Sequence, residues 1–170
     1  MRVLHSLSVI ALTTIATLFV YSCSKSSDSP SAPSSGSGTT STSTEAALEQ
    51  QTHAKINDYR TSKGLAALTW NDVIADQARQ HSRNMANGSV AFGHDLFSTR
   101  TDAIAEIIPL ASAAENVASG YDSAEAVVSG WLSSAGHKAN IEGYYNLTGI
   151  GVARASNGAA FFTQIFIKSR

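Results

Sequence analysis

The sequence predicts an α+β domain in which helices pack on a small antiparallel sheet. Apolar residues recur at helical spacing through the first half of the domain, and two β-like runs joined by an Asn-Gly turn close it. There is no internal repeat, so helices first and a hairpin last define one layered unit. The chain has 170 residues, enough for one domain. Its 12 Lys+Arg and 13 Asp+Glu give a net charge of -1, which argues against the basic face of a nucleic-acid binder. A single cysteine excludes an intrachain disulfide and a cysteine-based zinc cluster. The fold must therefore be held by ordinary core burial, and a monomer is expected.

Three segments follow one another. Residues 1–22 read as a secretory leader: Arg2 supplies a positive start, Val3 to Ser22 carries no Asp, Glu, Lys or Arg, and Val9 to Tyr21 is densely apolar. The run ends in Val20-Tyr21-Ser22-Cys23, which resembles the bacterial lipoprotein processing box; that resemblance implies a lipidated Cys23 as the mature N-terminus. An uncleaved membrane helix is the competing reading. Residues 23–44 read as a disordered tether. Of the 21 residues Ser24 to Thr44, 14 are Ser or Thr, and Pro30, Pro33, Gly36 and Gly38 interrupt regular structure, so the segment cannot bury enough surface to offset its ordering entropy. A flexible chain of this length spans about 25 Å, which leaves the domain beside a membrane without packing on it.

The domain itself is expected over 45–170. Leu48, Thr52, Ile56 and Tyr59 mark a first helix over about 45–63, stopped by Gly64. Asn71 caps a second helix whose stripe is Ile74, Ala78, His81 and Met85, and Asn87-Gly88 ends it. Residues 89–114 read as a long loop with a short helix near 99–107, and Glu115 to Ser119 as a short strand. Asp122 or Ser123 caps a third helix with Ala124, Val127, Val128 and Trp131 on one face, ending near Ser134. A further helical turn covers 136–142. The final hairpin pairs Leu147 to Ala155 with Ala159 to Lys168 around Ser156-Asn157-Gly158.

No P-loop, dinucleotide glycine fingerprint, HExxH pair or GxSxG elbow is present. His53 and His81 fall within helical patterns and read as core-edge residues. His94 lies in a loop, in Phe92-Gly93-His94-Asp95; His137 follows what reads as a helix end, where the dipole favours a protonated imidazole. By spacing alone His94, Glu115 and His137, 21 and 22 residues apart, form no metal motif. Trp70 and Trp131 read as core aromatics, Asn116 and Asn140 as partners of loop backbone, and Gly136 as a positive-φ helix end. Gln164 on the last strand faces either the cleft or outward.

The order of several short strings changes that weighting. Phe92-Gly93-His94, Ala114-Glu115-Asn116-Val117-Ala118, Gly130-Trp131-Leu132-Ser133-Ser134-Ala135-Gly136-His137-Lys138-Ala139-Asn140-Ile141, Gly149-Ile150-Gly151-Val152-Ala153 and Phe161-Phe162-Thr163-Gln164-Ile165-Phe166 together resemble the CAP superfamily, the cysteine-rich secretory, antigen 5 and pathogenesis-related 1 proteins, in its bacterial SCP-like branch. The likeness covers nearly all of 48–167. It implies a three-layer α-β-α sandwich whose cleft receives His94, Glu115 and His137. The family's second glutamate stands three residues after the helical tryptophan; here that position is Ser134, so one ligand charge is missing. The resemblance implies an extracytoplasmic binding or interaction module whose cleft holds a divalent metal such as zinc, on His94, His137 and Glu115, or a small ligand or envelope component. A hydrolase is the alternative, with Glu115 as base to a metal-bound water, or Ser133 or Ser134 paired with His137 and oriented by Glu115.

Overall fold

The structure, a computed structural model, describes residues 39–170. The leader, Cys23 and most of the tether lie outside the described residues. The elements in chain order are α1 (Thr39–Ser62), β1 (Thr69–Trp70), α2 (Asp72–Ala86), α3 (Phe97–Ala105), β2 (Leu110–Ser119), α4 (Ala124–Ser133), α5 (Ala135–Glu142), β3 (Leu147–Arg154) and β4 (Ala160–Ser169). Helix α1 thus begins before position 45, within the Ser/Thr-rich stretch. Its buried side is the expected stripe, with Leu48, Thr52 and Ile56 enclosed.

The four strands lie in the order β1-β3-β4-β2. The β3–β4 hairpin and the β2–β4 pair are antiparallel, as expected, while two-residue β1 adds a parallel contact to β3. Alternation along β4 divides the core. Phe162 and Phe166 join Leu48 and Ile56 of α1, Val127 and Trp131 of α4 and Ile141 of α5 on one face; Ile165 and Ile167 join Ile74 and Ala78 of α2 and Ile104 of α3 on the other. The result is the three-layer α-β-α sandwich that the family likeness implied.

Two differences have local causes. Strand β2 starts at Leu110, not Glu115, because Ala113 and Ala114 pair with Ile167 and Phe166 of β4. Its Ala/Ser-rich first half carries too little apolar alternation to be read as a strand without that partner. Helix α3 begins at Phe97, two residues before the expected start near 99, because Leu96 takes a left-handed φ of 61° and turns the chain into the helix.

Helix α2 packs against the sheet backbone itself. A Cβ on Gly149 would meet Ala75 N at 2.1 Å, and one on Gly151 would meet Arg79 N at 2.1 Å. Only glycine allows this approach, and it lets Ser82 Oγ reach Gly151 O and Thr163 Oγ1, each at 2.8 Å. Two buried charges lock α1 in place. Glu49 accepts from Val152 N at 3.0 Å and pairs with Arg79, while Arg60 donates to the carbonyls of Ala66 and Ile141 at 2.8 and 2.6 Å.

Candidate functional site

Strand β2 is an edge strand, and the side chains expected to matter gather around it. Glu115 points to the α2–α3 side, where its side chain is 1% exposed. A buried carboxylate needs a partner. Arg100 of α3 supplies one: Nε donates to Glu115 Oε2 at 2.9 Å and Nη2 to Oε1 at 2.8 Å, a bidentate pair. The remaining guanidinium nitrogen, Nη1, reaches Asp95 O at 2.7 Å and His81 Nδ1 at 3.1 Å. His94 Nδ1 completes the cluster, 3.0 Å from Glu115 Oε1.

These contacts assign the protons. A guanidinium only donates, so His81 Nδ1 accepts and its Nε2–H donates to Gly93 O at 2.8 Å. An ionised Glu115 only accepts, so His94 carries a proton on Nδ1, and whenever the ring is neutral its Nε2 is bare. The His94 side chain is 53% exposed, in contrast to the buried groups behind it. Burial holds His81 below the ordinary histidine value, with the Arg100 charge acting in the same direction. The loop carrying His94 is fixed at both ends: Gly93 has a φ of 151°, open to glycine, and Phe97 N bonds His94 O at 3.1 Å.

His137 reaches the same region from the other layer. The chain breaks between α4 and α5 at Ser134, which is extended with φ −101° and ψ 122°, and the helix restarts. His137 therefore lies in the first turn of α5. This corrects the expectation of a helix end that favours its proton: the dipole there is positive and opposes protonation. Burial first, and the charge of His94 second, hold His137 below the ordinary value. Gly136 is helical in α5 and does not take the positive φ expected of it. Two asparagines tie α5 to β2. Asn116 Nδ2 donates to His137 O at 3.0 Å, and Asn140 Nδ2 to Asn116 Oδ1 at 2.9 Å and Glu115 O at 3.2 Å.

His137 and Ser134 line a cleft of about 360 Å³ along the β2 edge, with Phe92, Val117, Tyr121 and Trp131 among its other walls. Trp131 is a core residue, 1% exposed, whose Nε1 donates to Val117 O at 3.2 Å. Gln164 is wholly buried and donates to Thr148 Oγ1 at 3.2 Å, so it faces the core beneath α1 and not the cleft. A larger hollow, about 500 Å³, lies between the end of α2 and the end of β3, lined by Arg83, Asn87, Arg154 and Ser156, with no histidine or acid in its wall.

The structure thus joins His94 to Glu115 and sets His137 in the cleft wall, within electrostatic reach of His94. No hydrogen bond joins the His137 ring to Glu115 among the described residues, and no group of three or more His, Cys, Asp or Glu there is placed to hold a metal ion. Chelation of a divalent ion by Glu115 does not fit, because Arg100 and His94 fill three of the four lone pairs of its carboxylate. Arg100 and His81 were not legible as site residues. Arg100 stood in a weakly periodic segment, and His81 sat on a buried helical stripe.

Helices on both faces of a small sheet, with a histidine–glutamate cluster beside a cleft at its edge, define a CAP-type domain. The chain belongs to the cysteine-rich secretory protein (CAP) family, whose model matches residues 53–166. It is 35% identical over 124 residues to the uncharacterized membrane protein YlbC of Bacillus subtilis, a match covering 71% of this chain and 34% of that protein. It is 31% identical to the uncharacterized protein YkwD of the same organism, over 72% of this chain and 48% of that one. The chain therefore spans less than half the length of either curated relative. A solved extracellular protein from Bacillus anthracis that contains an SCP domain superposes with a TM-score of 0.64 at 29% identity, over 81% of this chain and 45% of that chain. An outer surface protein of Borrelia burgdorferi shares the fold, with a TM-score of 0.62 at 21% identity, over 69% and 90% of the two chains. No helix among the described residues is long and apolar enough to cross a membrane.

Proposed function

We propose that this chain is an extracytoplasmic binding domain, held to a membrane by lipidated Cys23 and its Ser/Thr tether, whose cleft takes a small ligand or a small part of an envelope component. One observation carries the reading. A buried network of Glu115, Arg100 and His81 serves to hold one half-exposed imidazole, His94, beside a cleft with His137 in its wall. Buried polar networks are costly unless every member is satisfied, and this one ends on a group facing solvent. The test is an NMR fragment screen on the purified chain. Fragments should converge on Phe92, His94, Tyr121 and His137 and lose that site in His94→Phe. Fragments that scatter over the surface, or bind His94→Phe equally well, overturn the reading.

One observation favours a second reading, a hydrolase. Glu115 holding His94 is the arrangement of a general base and its orienting acid. The serine version has less support. Ser133 Oγ donates to Ser129 O at 2.8 Å, and among the described residues no serine hydroxyl bonds a histidine ring. Water would be the nucleophile. Turnover of a nitrophenyl ester that disappears in His94→Ala and survives Ser134→Ala supports the hydrolase; no turnover by the wild type removes it.

A further inference from the structure

We infer that Arg100 is a built-in counter-cation: it holds Glu115 as a metal ion otherwise would, so that Glu115 serves to fix the His94 ring and His94 Nε2 reads a hydrogen-bond donor on the ligand. The ligand clause rests on the binding function proposed above; the Arg100 clause stands without it.

The argument starts from the occupancy of Glu115. Its Oε1 accepts from Arg100 Nη2 and His94 Nδ1, and its Oε2 from Arg100 Nε. A divalent ion that chelates this carboxylate through both oxygens must displace the guanidinium, since only one lone pair, on Oε2, is left open. Arg100 is not free to leave: Nη1 is held by Asp95 O and His81 Nδ1, and its side chain is 8% exposed. A bidentate arginine imposes an orientation, which a lysine point charge does not. Arginine cannot lose its proton in a protein, so the pairing persists across the working pH range.

The consequence for His94 follows from donor counting. With its Nδ1–H given to Glu115, the neutral ring has one remaining site, the Nε2 lone pair. That site accepts and cannot donate. A ligand group that only accepts, such as an ether or a carboxylate, gains nothing from it. A hydroxyl, an amine or an amide N–H does. The chemistry that fits is thus a ligand with an apolar body, for Phe92 and Tyr121 of the cleft wall, and a hydrogen-bond donor directed at the half-exposed His94.

The experiment has three arms on the purified chain, each at a pH well above 6.5, the ordinary histidine value. In the first, NMR of the imidazole nitrogens of the wild type should find the His94 proton on Nδ1; a proton on Nε2 overturns the assignment. In the second, phenol and anisole serve as matched probes differing in the donor. Phenol should shift His94 Nε2 at about tenfold lower concentration, the size expected of one hydrogen bond. Equal action by anisole overturns the donor readout. If neither probe reaches the cleft, that readout falls together with the binding function, while the other arms still decide on Arg100. In the third, zinc chloride is titrated into wild type, Arg100→Gln and Arg100→Lys. Arg100→Gln should bind zinc about tenfold more tightly than wild type, through the freed Glu115, the size expected when one charge-assisted hydrogen bond no longer competes for the carboxylate. Arg100→Lys should fall between the two and keep the wild-type tautomer. Equal zinc affinity in all three overturns the inference, and should Arg100→Gln fail to fold, the wild-type tautomer decides.

Discussion

Removing Arg100 should destabilise the whole domain, because it strands a carboxylate. In Arg100→Met the side chain keeps an unbranched apolar stem but loses its charge. Two hydrogen bonds to Glu115, at 2.9 and 2.8 Å, disappear together with those to His81 and Asp95. Glu115 is left with His94 as its one side-chain partner, and its own side chain is 1% exposed. Water cannot replace the guanidinium without opening the contact between α3 and β2. Breaking a buried pair by removing one member costs about 3–5 kcal/mol, against about 1 kcal/mol or less for an exposed pair. A domain of this size has roughly 5–15 kcal/mol in total, so the variant should remain folded with a much lower urea midpoint. The double variant Arg100→Met/Glu115→Leu removes both charges and should recover most of the loss, since apolar replacement of a buried pair is often near neutral. Urea unfolding followed by the fluorescence of Trp70 and Trp131 measures all three proteins. A loss under about 1 kcal/mol in Arg100→Met would show a solvated carboxylate and refute the clamp.

Three further outcomes are expected. Gly151→Ala places a Cβ 2.1 Å from Arg79 N, a backbone atom that cannot swing aside, so α2 must shift off the sheet at a cost of about 1–3 kcal/mol; an unchanged urea midpoint contradicts the close approach. His81 and His137 are both held below 6.5, chiefly by burial, so on acidification the unfolded chain takes up protons before the folded one. Stability should be full above about 6.5 and fall below it until the folded imidazoles also protonate, and His81→Gln should flatten the profile; a midpoint that rises on acidification has the wrong sign. Cys23→Ala should move the protein from the membrane fraction to the soluble fraction on cell fractionation, since an acylated cysteine is the proposed anchor; unchanged membrane association rejects lipidation.

Much of the scaffold was legible along the chain. The cap Asn71, whose Oδ1 accepts from Ile74 N at 3.2 Å, the cap Ser123 and the Asn157-Gly158 turn each act through neighbours three or fewer residues away. The stripes Leu48–Thr52–Ile56 and Ile74–Ala78–His81–Met85 are buried as their spacing requires. The first half of β2 was not legible, because its small residues become a strand only against Phe166 and Ile167. The break near Ser134 and the helical turn after it were legible, but not that His137 falls in the first turn of α5, where the dipole has the opposite sign.

The order of motifs also pointed to His94, Glu115 and His137 as the residues around one cleft, and the chain brings the first two into contact. What they can do there was decided by a residue with no motif. Arg100 comes from a different layer, 15 positions before Glu115, and meets it only when α3 packs on β2. Local propensity and periodicity are set by near neighbours and survive in the linear sequence. The charge state of a carboxylate, the tautomer of an imidazole and the sign of a helix end depend on groups that only tertiary packing brings within a few ångströms.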